Sequence, residues 1–220
     1  MEGKAAAFGL HFFDIQVEAD LDDIPGTEYP PPHHSSWKVS PEEVQDTIKK
    51  LPGNKAPGPD KIHNKYLKTC AEQLATPLAT FFTACMTQGH CPRAFKQSLT
   101  CVLRKPQKED YTKLKSYRPI ALLNTIGKLL EKIVAVRITD LVETHHILPD
   151  TQMGGRKQRS TLTAMELITE QVKTLWHYGN NKVASLLSLD ISGAFDNVSH
   201  LRLIHILRQK RLPEWTVRFV

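Results

Sequence analysis

Apolar positions recur at helical spacing in some stretches of the chain and gather into short continuous runs in others, and the alternation marks out its elements. The first sharp signal is Ser40-Pro41-Glu42-Glu43, a capping box with proline at the first helical position. Val44, Ile48 and Leu51 then share one helical face until Pro52-Gly53 stops it. A second helical stretch is expected from about residue 64 to residue 89, interrupted at Pro77. Leu99 to Leu103 is an apolar run that predicts a strand, residues 104–115 are polar and loop-like, and Tyr117-Arg118-Pro119-Ile120 is expected to return to the core. From Thr125, the positions Ile126, Leu129, Leu130, Ile133, Val134, Ile138, Leu141 and Val142 keep the helical period longest.

Gly154-Gly155-Arg156-Lys157-Gln158-Arg159 reads as a basic, glycine-containing loop. Ser160 or Thr161 then caps a helix carrying Leu162, Met165, Ile168, Val172 and Leu175. After a turn at Gly179-Asn180-Asn181, residues 183–189 (VASLLSL) predict a buried strand ended by Asp190. Ser199 is the expected cap of a further helix through Leu201, Ile204 and Leu207. Residues 1–39, acidic and holding Pro25-Gly26 and Pro30-Pro31-Pro32, are expected to be a linker ahead of a folded region, 40–220.

Composition narrows the function classes. The net charge of +6 is uneven, with two basic and seven acidic residues in the first forty and a basic remainder. Such a body suits a polyanion, through phosphate neutralisation and counterion release, although a solvated lysine-rich surface explains it equally well. No apolar run approaches the ~20 residues of a membrane span, and the N-terminus lacks signal-peptide features, so an intracellular chain without a membrane role is expected. The cysteines at 70, 85, 91 and 101 have neither zinc-knuckle spacing nor the marks of a secreted disulfide framework.

The chemistry concentrates in residues 185–200 (SLLSLDISGAFDNVSH). An apolar strand would deliver Asp190 to its C-terminal end, where a carboxylate can meet Mg²⁺, a hard ion that also takes substrate phosphates. A turn-capping aspartate is the plainer reading. It is preferred for Asp196, which lies just before the Ser199 cap, while the metal role is preferred for Asp190. Gly193 and Ala194 keep the turn small, and Phe195 is either core or a ring presented to a sugar. One aspartate cannot hold the two ions of two-metal phosphoryl transfer.

Four segments together carry a family resemblance. LSLDISGAFDNV (187–198) resembles motif A of reverse transcriptases of LINE-like (non-LTR) retrotransposons. KAPGPDKI (55–62), LRKPQKEDYTKLKSYRPIALLNTIGKLLEKIVAVRI (103–138) and QMGGRKQRST (152–161) resemble the motif upstream of the fingers, the fingers motifs and the motif that follows them. The resemblance implies an α+β right-hand polymerase with fingers and a partial palm, helix-rich, with an incomplete antiparallel palm sheet. It implies an RNA-directed DNA polymerase with RNA template, DNA primer or target and dNTPs as partners, two Mg²⁺ ions (Mn²⁺ possible) in the complete enzyme, and a nuclear location. Asp190 would be the first metal-binding aspartate, with the carbonyl of Ile191 a second contact and Phe195 a steric gate against a 2′-hydroxyl. Lys105 and Arg118 would hold the incoming triphosphate. On residues alone they read as a solvated cation and a loop anchor.

By the same resemblance, Gly154, Gly155, Arg156 and Arg159 would admit and neutralise a nucleic-acid backbone. The sequence departs from the family pattern in three places: Gly155 stands for a common aromatic, Lys157-Gln158 for Pro-Gly, and Lys61 for a glycine after PGPD. Such polymerases also carry a paired-aspartate motif downstream, and this chain has no Asp-Asp pair after residue 23. A truncated, inactive fragment is therefore expected, and a non-catalytic basic nucleic-acid-binding remnant is the alternative.

Overall fold

The computed structural model describes residues 2–13, 19–178, 183–191, 194 and 197–220. They form a mixed, mainly helical structure with one small two-stranded antiparallel sheet. Two compact units are distinguished, residues 1–136 with 195–220, and residues 137–194.

In the first unit, α1 (Glu2–Phe13) is followed by an extended segment and α2 (Pro41–Lys50). Helix α2 starts where the capping box predicts: the Ser40 hydroxyl accepts the Glu43 N–H at 3.2 Å, and Val44 and Ile48 are fully buried. The next helical stretch divides at Cys70, into α3 (Asn64–Thr69) and α4 (Ala71–Gln88). The expected break at Pro77 is absent. Pro77 lies inside α4 on its exposed side, as does Gln73, so the carbonyl that the proline leaves without a donor can turn to water. The opposite face of α4 buries Ala75, Leu78, Ala79, Phe82, Cys85 and Met86 against α2 and α9 (Glu214–Phe219), which adds Trp215 and Val217 to the core.

After the short α5 (Arg93–Lys96), β1 (Ser98–Arg104) pairs with β2 (Tyr117–Leu123), Leu103 opposite Arg118 and Cys101 opposite Ile120. The Tyr117–Ile120 stretch therefore does not enter the core: Arg118, Pro119 and Ile120 are exposed on a hairpin. The long helix is α6 (Thr125–Thr144), with Leu129, Leu130, Ile133 and Val134 buried.

Residues 19–39, expected to be a linker, are held against α8 (His200–Gln209) and the chain after it. The Arg202 guanidinium grips the Asp23 carboxylate through two bonds, 2.8 and 2.6 Å, and also donates to the Asp20 carbonyl. The Tyr29 hydroxyl meets His205 Nδ1 at 3.0 Å, and Arg211 donates to the Pro31 carbonyl at 2.8 Å while its own carbonyl accepts the His33 N–H at 2.8 Å. Ser199 caps α8 as expected, accepting the Arg202 N–H, yet the buried residue is His205, and Leu201 is exposed.

The second unit holds α7 (Thr161–Tyr178), capped by Ser160, whose hydroxyl accepts the Thr163 N–H at 3.1 Å. None of its apolar residues is buried; Leu162 and Met165 are exposed. Residues 183–191 carry no strand pairing, and the expectation of a buried strand fails: Leu187 is 80% and Leu189 82% exposed. An apolar run can only be a core strand where a neighbour supplies the ladder, and no described residue does so here.

Candidate nucleotide and nucleic-acid sites

The hairpin positions the expected phosphate-binding cations. The register sets Arg118 opposite Leu103, and directly opposed residues share a face of the ribbon. Side chains two apart along a strand also share a face, and the Lys105 N–H extends the ladder to the Ser116 carbonyl at 2.9 Å. By this register Lys105 and Arg118 fall on one face.

The connection between the strands is internally tied. Tyr111 donates its hydroxyl to the Lys105 carbonyl at 2.8 Å, and Tyr117 donates to the Tyr111 carbonyl at 3.0 Å. Ser116 donates to the Asp110 carbonyl, and the Asp110 carboxylate accepts both the backbone N–H (2.8 Å) and the hydroxyl of Thr112 (2.5 Å). Those Thr112 bonds hold the Asp110 carboxyl below the usual carboxylate range. Lys105 Nζ donates to the Lys115 carbonyl at 2.9 Å, so its ammonium is held at the hairpin.

The PGPD segment anchors the far end of β2, a role that spacing did not reveal. Asp60 accepts the Thr125 N–H at 2.6 Å, satisfying a donor of the first turn of α6, and also accepts the Ile62 N–H at 3.2 Å. Asn124 accepts the Asp60 N–H at 3.0 Å and donates to the Ala94 carbonyl at 2.7 Å, while the Thr125 hydroxyl donates to the Ile62 carbonyl at 2.5 Å. Gly58 lies so close to β2 that a Cβ there would sit 2.3 Å from the Leu123 carbonyl oxygen. Since Asp60 and Thr125 are 65 residues apart, no local pattern could have paired them.

The residues around Asp190 are arranged differently from expectation. Asp190 and Ile191 lie exposed in the unpaired 183–191 segment, Ile191 at 76%. Phe195, Gly193 and Asp196 fall outside the described residues. No group of three or more metal-ligating side chains occurs among the described residues. Mg²⁺ keeps several waters and is commonly held by one or two carboxylates plus substrate phosphates, so the exposed Asp190 carboxylate and the Ile191 carbonyl are chemically suited to be part of such a set.

In the second unit, the 154–159 loop is pinned by its own cations. Arg156 is buried, donating to both Glu143 oxygens (2.9 and 2.7 Å) and to the Pro149 carbonyl (2.8 Å). The Arg156 hydrogen bonds hold Glu143 below the usual carboxylate range and raise Arg156 in turn. Lys157 Nζ lies 2.5 Å from Asp140, and Arg159 lies 3.2 Å from Asp150, both pairs near solvent. Gly154 and Gly155 are exposed, and Gly155 takes a φ of 74°, which an aromatic side chain would adopt only under strain. Of the four loop residues expected to meet nucleic acid, Arg156 is turned inward, Arg159 is half-buried on Asp150, and Gly154 and Gly155 are exposed.

No helix among the described residues is long and apolar enough to cross a membrane. Comparison with known proteins places these features in context. Residues 103–220 match the family model described as reverse transcriptase (RNA-dependent DNA polymerase). The chain is 32% identical over 174 residues to the RNA-directed DNA polymerase from mobile element jockey of Drosophila melanogaster, covering 79% of this chain and 18% of that protein. It is 35% identical over 163 residues to the probable RNA-directed DNA polymerase from transposon X-element of the same species, covering 74% and 18%. It is 24% identical over 216 residues to the Retrovirus-related Pol polyprotein from type-1 retrotransposable element R1 of Bradysia coprophila, covering 97% and 21%. The chain thus spans about a fifth of the length of these relatives.

Proposed function

The chain belongs to the reverse transcriptase (RNA-dependent DNA polymerase) family, in its LINE-like retrotransposon class, and from this premise we propose that it forms the fingers and part of the palm of an RNA-directed DNA polymerase. Residues 40–220 make up that region, and 1–39 precede it. The protein would extend a DNA primer or target on an RNA template, the primer 3′-hydroxyl attacking the α-phosphate of a dNTP with pyrophosphate leaving. As a retrotransposon polymerase it would act in the nucleus, where its target lies.

The observation that carries this reading is the hairpin register, which sets Lys105 and Arg118 on one face. Arg118 would take two triphosphate oxygens through its planar fork, and Lys105 would supply a compact charge beside it. Phe195 would exclude a ribonucleotide by filling the space of its 2′-hydroxyl. Gly154, Gly155 and Arg159 would meet the nucleic-acid backbone, with Arg156 holding their loop in place. Asp190, with the Ile191 carbonyl, is assigned to a divalent ion, Mg²⁺ or Mn²⁺.

Binding of a fluorescent dNTP to the chain tests the reading. Lys105→Ala and Arg118→Ala are each expected to weaken it about tenfold, as befits loss of a charge-assisted phosphate contact. Unchanged affinity in both variants would remove the assignment.

A further inference from the structure

The cations of the 154–159 loop differ in how firmly they are held. Arg156 is committed inward: its guanidinium is buried and makes three hydrogen bonds, two to the Glu143 carboxylate and one to the Pro149 carbonyl. Lys157 faces the Asp140 carboxylate, and the half-buried Arg159 bonds the carboxylate and the backbone carbonyl of Asp150; both aspartate side chains stand in solvent, 55% and 85% exposed. Exposed ion pairs add little stability, because water and salt compete for both partners. Either aspartate can therefore be exchanged for another anion at small cost, whereas Glu143 cannot be displaced without stranding a buried arginine.

Backbone geometry sets this division. Gly155 and Gln158 both take positive φ, 74° and 57°, so the chain reverses on either side of Arg156-Lys157. Arg156 is carried inward as a post, and its neighbour is carried to the surface. Lys157 thus adds a second cation beside Arg159.

We propose that Asp140 and Asp150 occupy the places of nucleic-acid phosphates, and that Lys157 and Arg159 exchange these carboxylates for the backbone of a bound single strand. Asp140 and Asp150 weaken and tune the binding, Lys157 is a backbone contact, and Arg156 is a positioning residue. This rests on the proposal above that the loop meets nucleic acid.

The test is binding of a short fluorescein-labelled single-stranded RNA to the full chain, followed across a salt series, with DNA of the same sequence as a second arm. Asp140→Asn with Asp150→Asn is expected to tighten binding several-fold. A control of equal charge change, Asp46→Asn with Glu72→Gln, both exposed residues of the other unit, is expected to do much less. Lys157→Ala with Arg159→Ala should lower the slope of log affinity against log salt by about 1.4, the value for two single-strand phosphates. Equal effects of the loop and control carboxylates, or a wild-type slope in the double-alanine variant, overturn this inference while leaving nucleic-acid binding intact. Absence of any salt-dependent retention by the wild-type chain overturns both. Equal behaviour of RNA and DNA is expected, since phosphates alone are read.

Discussion

Lys61 and Gln158 hold φ at 55° and 57°, a region where a side chain strains the backbone by ~1–2 kcal/mol. Lys61→Gly is expected to stabilise the chain by roughly 0.5–1 kcal/mol in urea unfolding, relief of strain outweighing the added freedom of the unfolded state. Gly58→Ala should act in the opposite direction, by about 2–3 kcal/mol or with loss of cooperative unfolding, because the obstructing atom is the Leu123 backbone oxygen and cannot rotate away. The motif residues themselves were legible in sequence. Their work as a brace was not, since the partners Asp60, Asn124 and Thr125 meet only once β2 and α6 are folded.

At the scale of elements, α2 and α6 were readable because local signals agree: a capping box with its periodic face in one, a long helical period in the other. Helix α4 shows where that logic stops. Pro77 reads as a breaker, yet the buried face of α4 continues past it through Leu78, Ala79 and Phe82, and packing on α2 and α9 outweighs the lost bond. Pro77→Ala is accordingly expected to raise stability by about 1–2 kcal/mol in denaturant unfolding, less than the ~3 kcal/mol host–guest difference because proline also restricts the unfolded chain. No gain would mean that the helix has absorbed the proline without cost. Residues 183–191 show the converse: an apolar run states that burial is wanted and is silent about the partner that would supply it.

Across the whole molecule, residues 20–33 meet residues 202–211 through a paired guanidinium, a tyrosine–histidine contact and backbone bonds. Nothing in an acidic, proline-rich stretch announced this, because extended docking has no period to detect. The Arg202 hydrogen bonds pull the Asp23 carboxyl down to about 2. A depressed folded value means that the contribution is complete above the unfolded value near ~4 and disappears as pH falls toward ~2. The melting-temperature difference between wild type and Asp23→Asn should thus be constant above about pH 5 and shrink toward zero near pH 2; a difference that persists in acid would show that the ion pair is not its source. The same closure also constrains how the protein is made. Asp23 leaves the ribosome 179 residues before Arg202, a wait on the order of ten seconds or more at ordinary elongation rates. Throughout that interval the acidic segment has no binding site, so its own solubility must keep it available until the helix that receives it is synthesised.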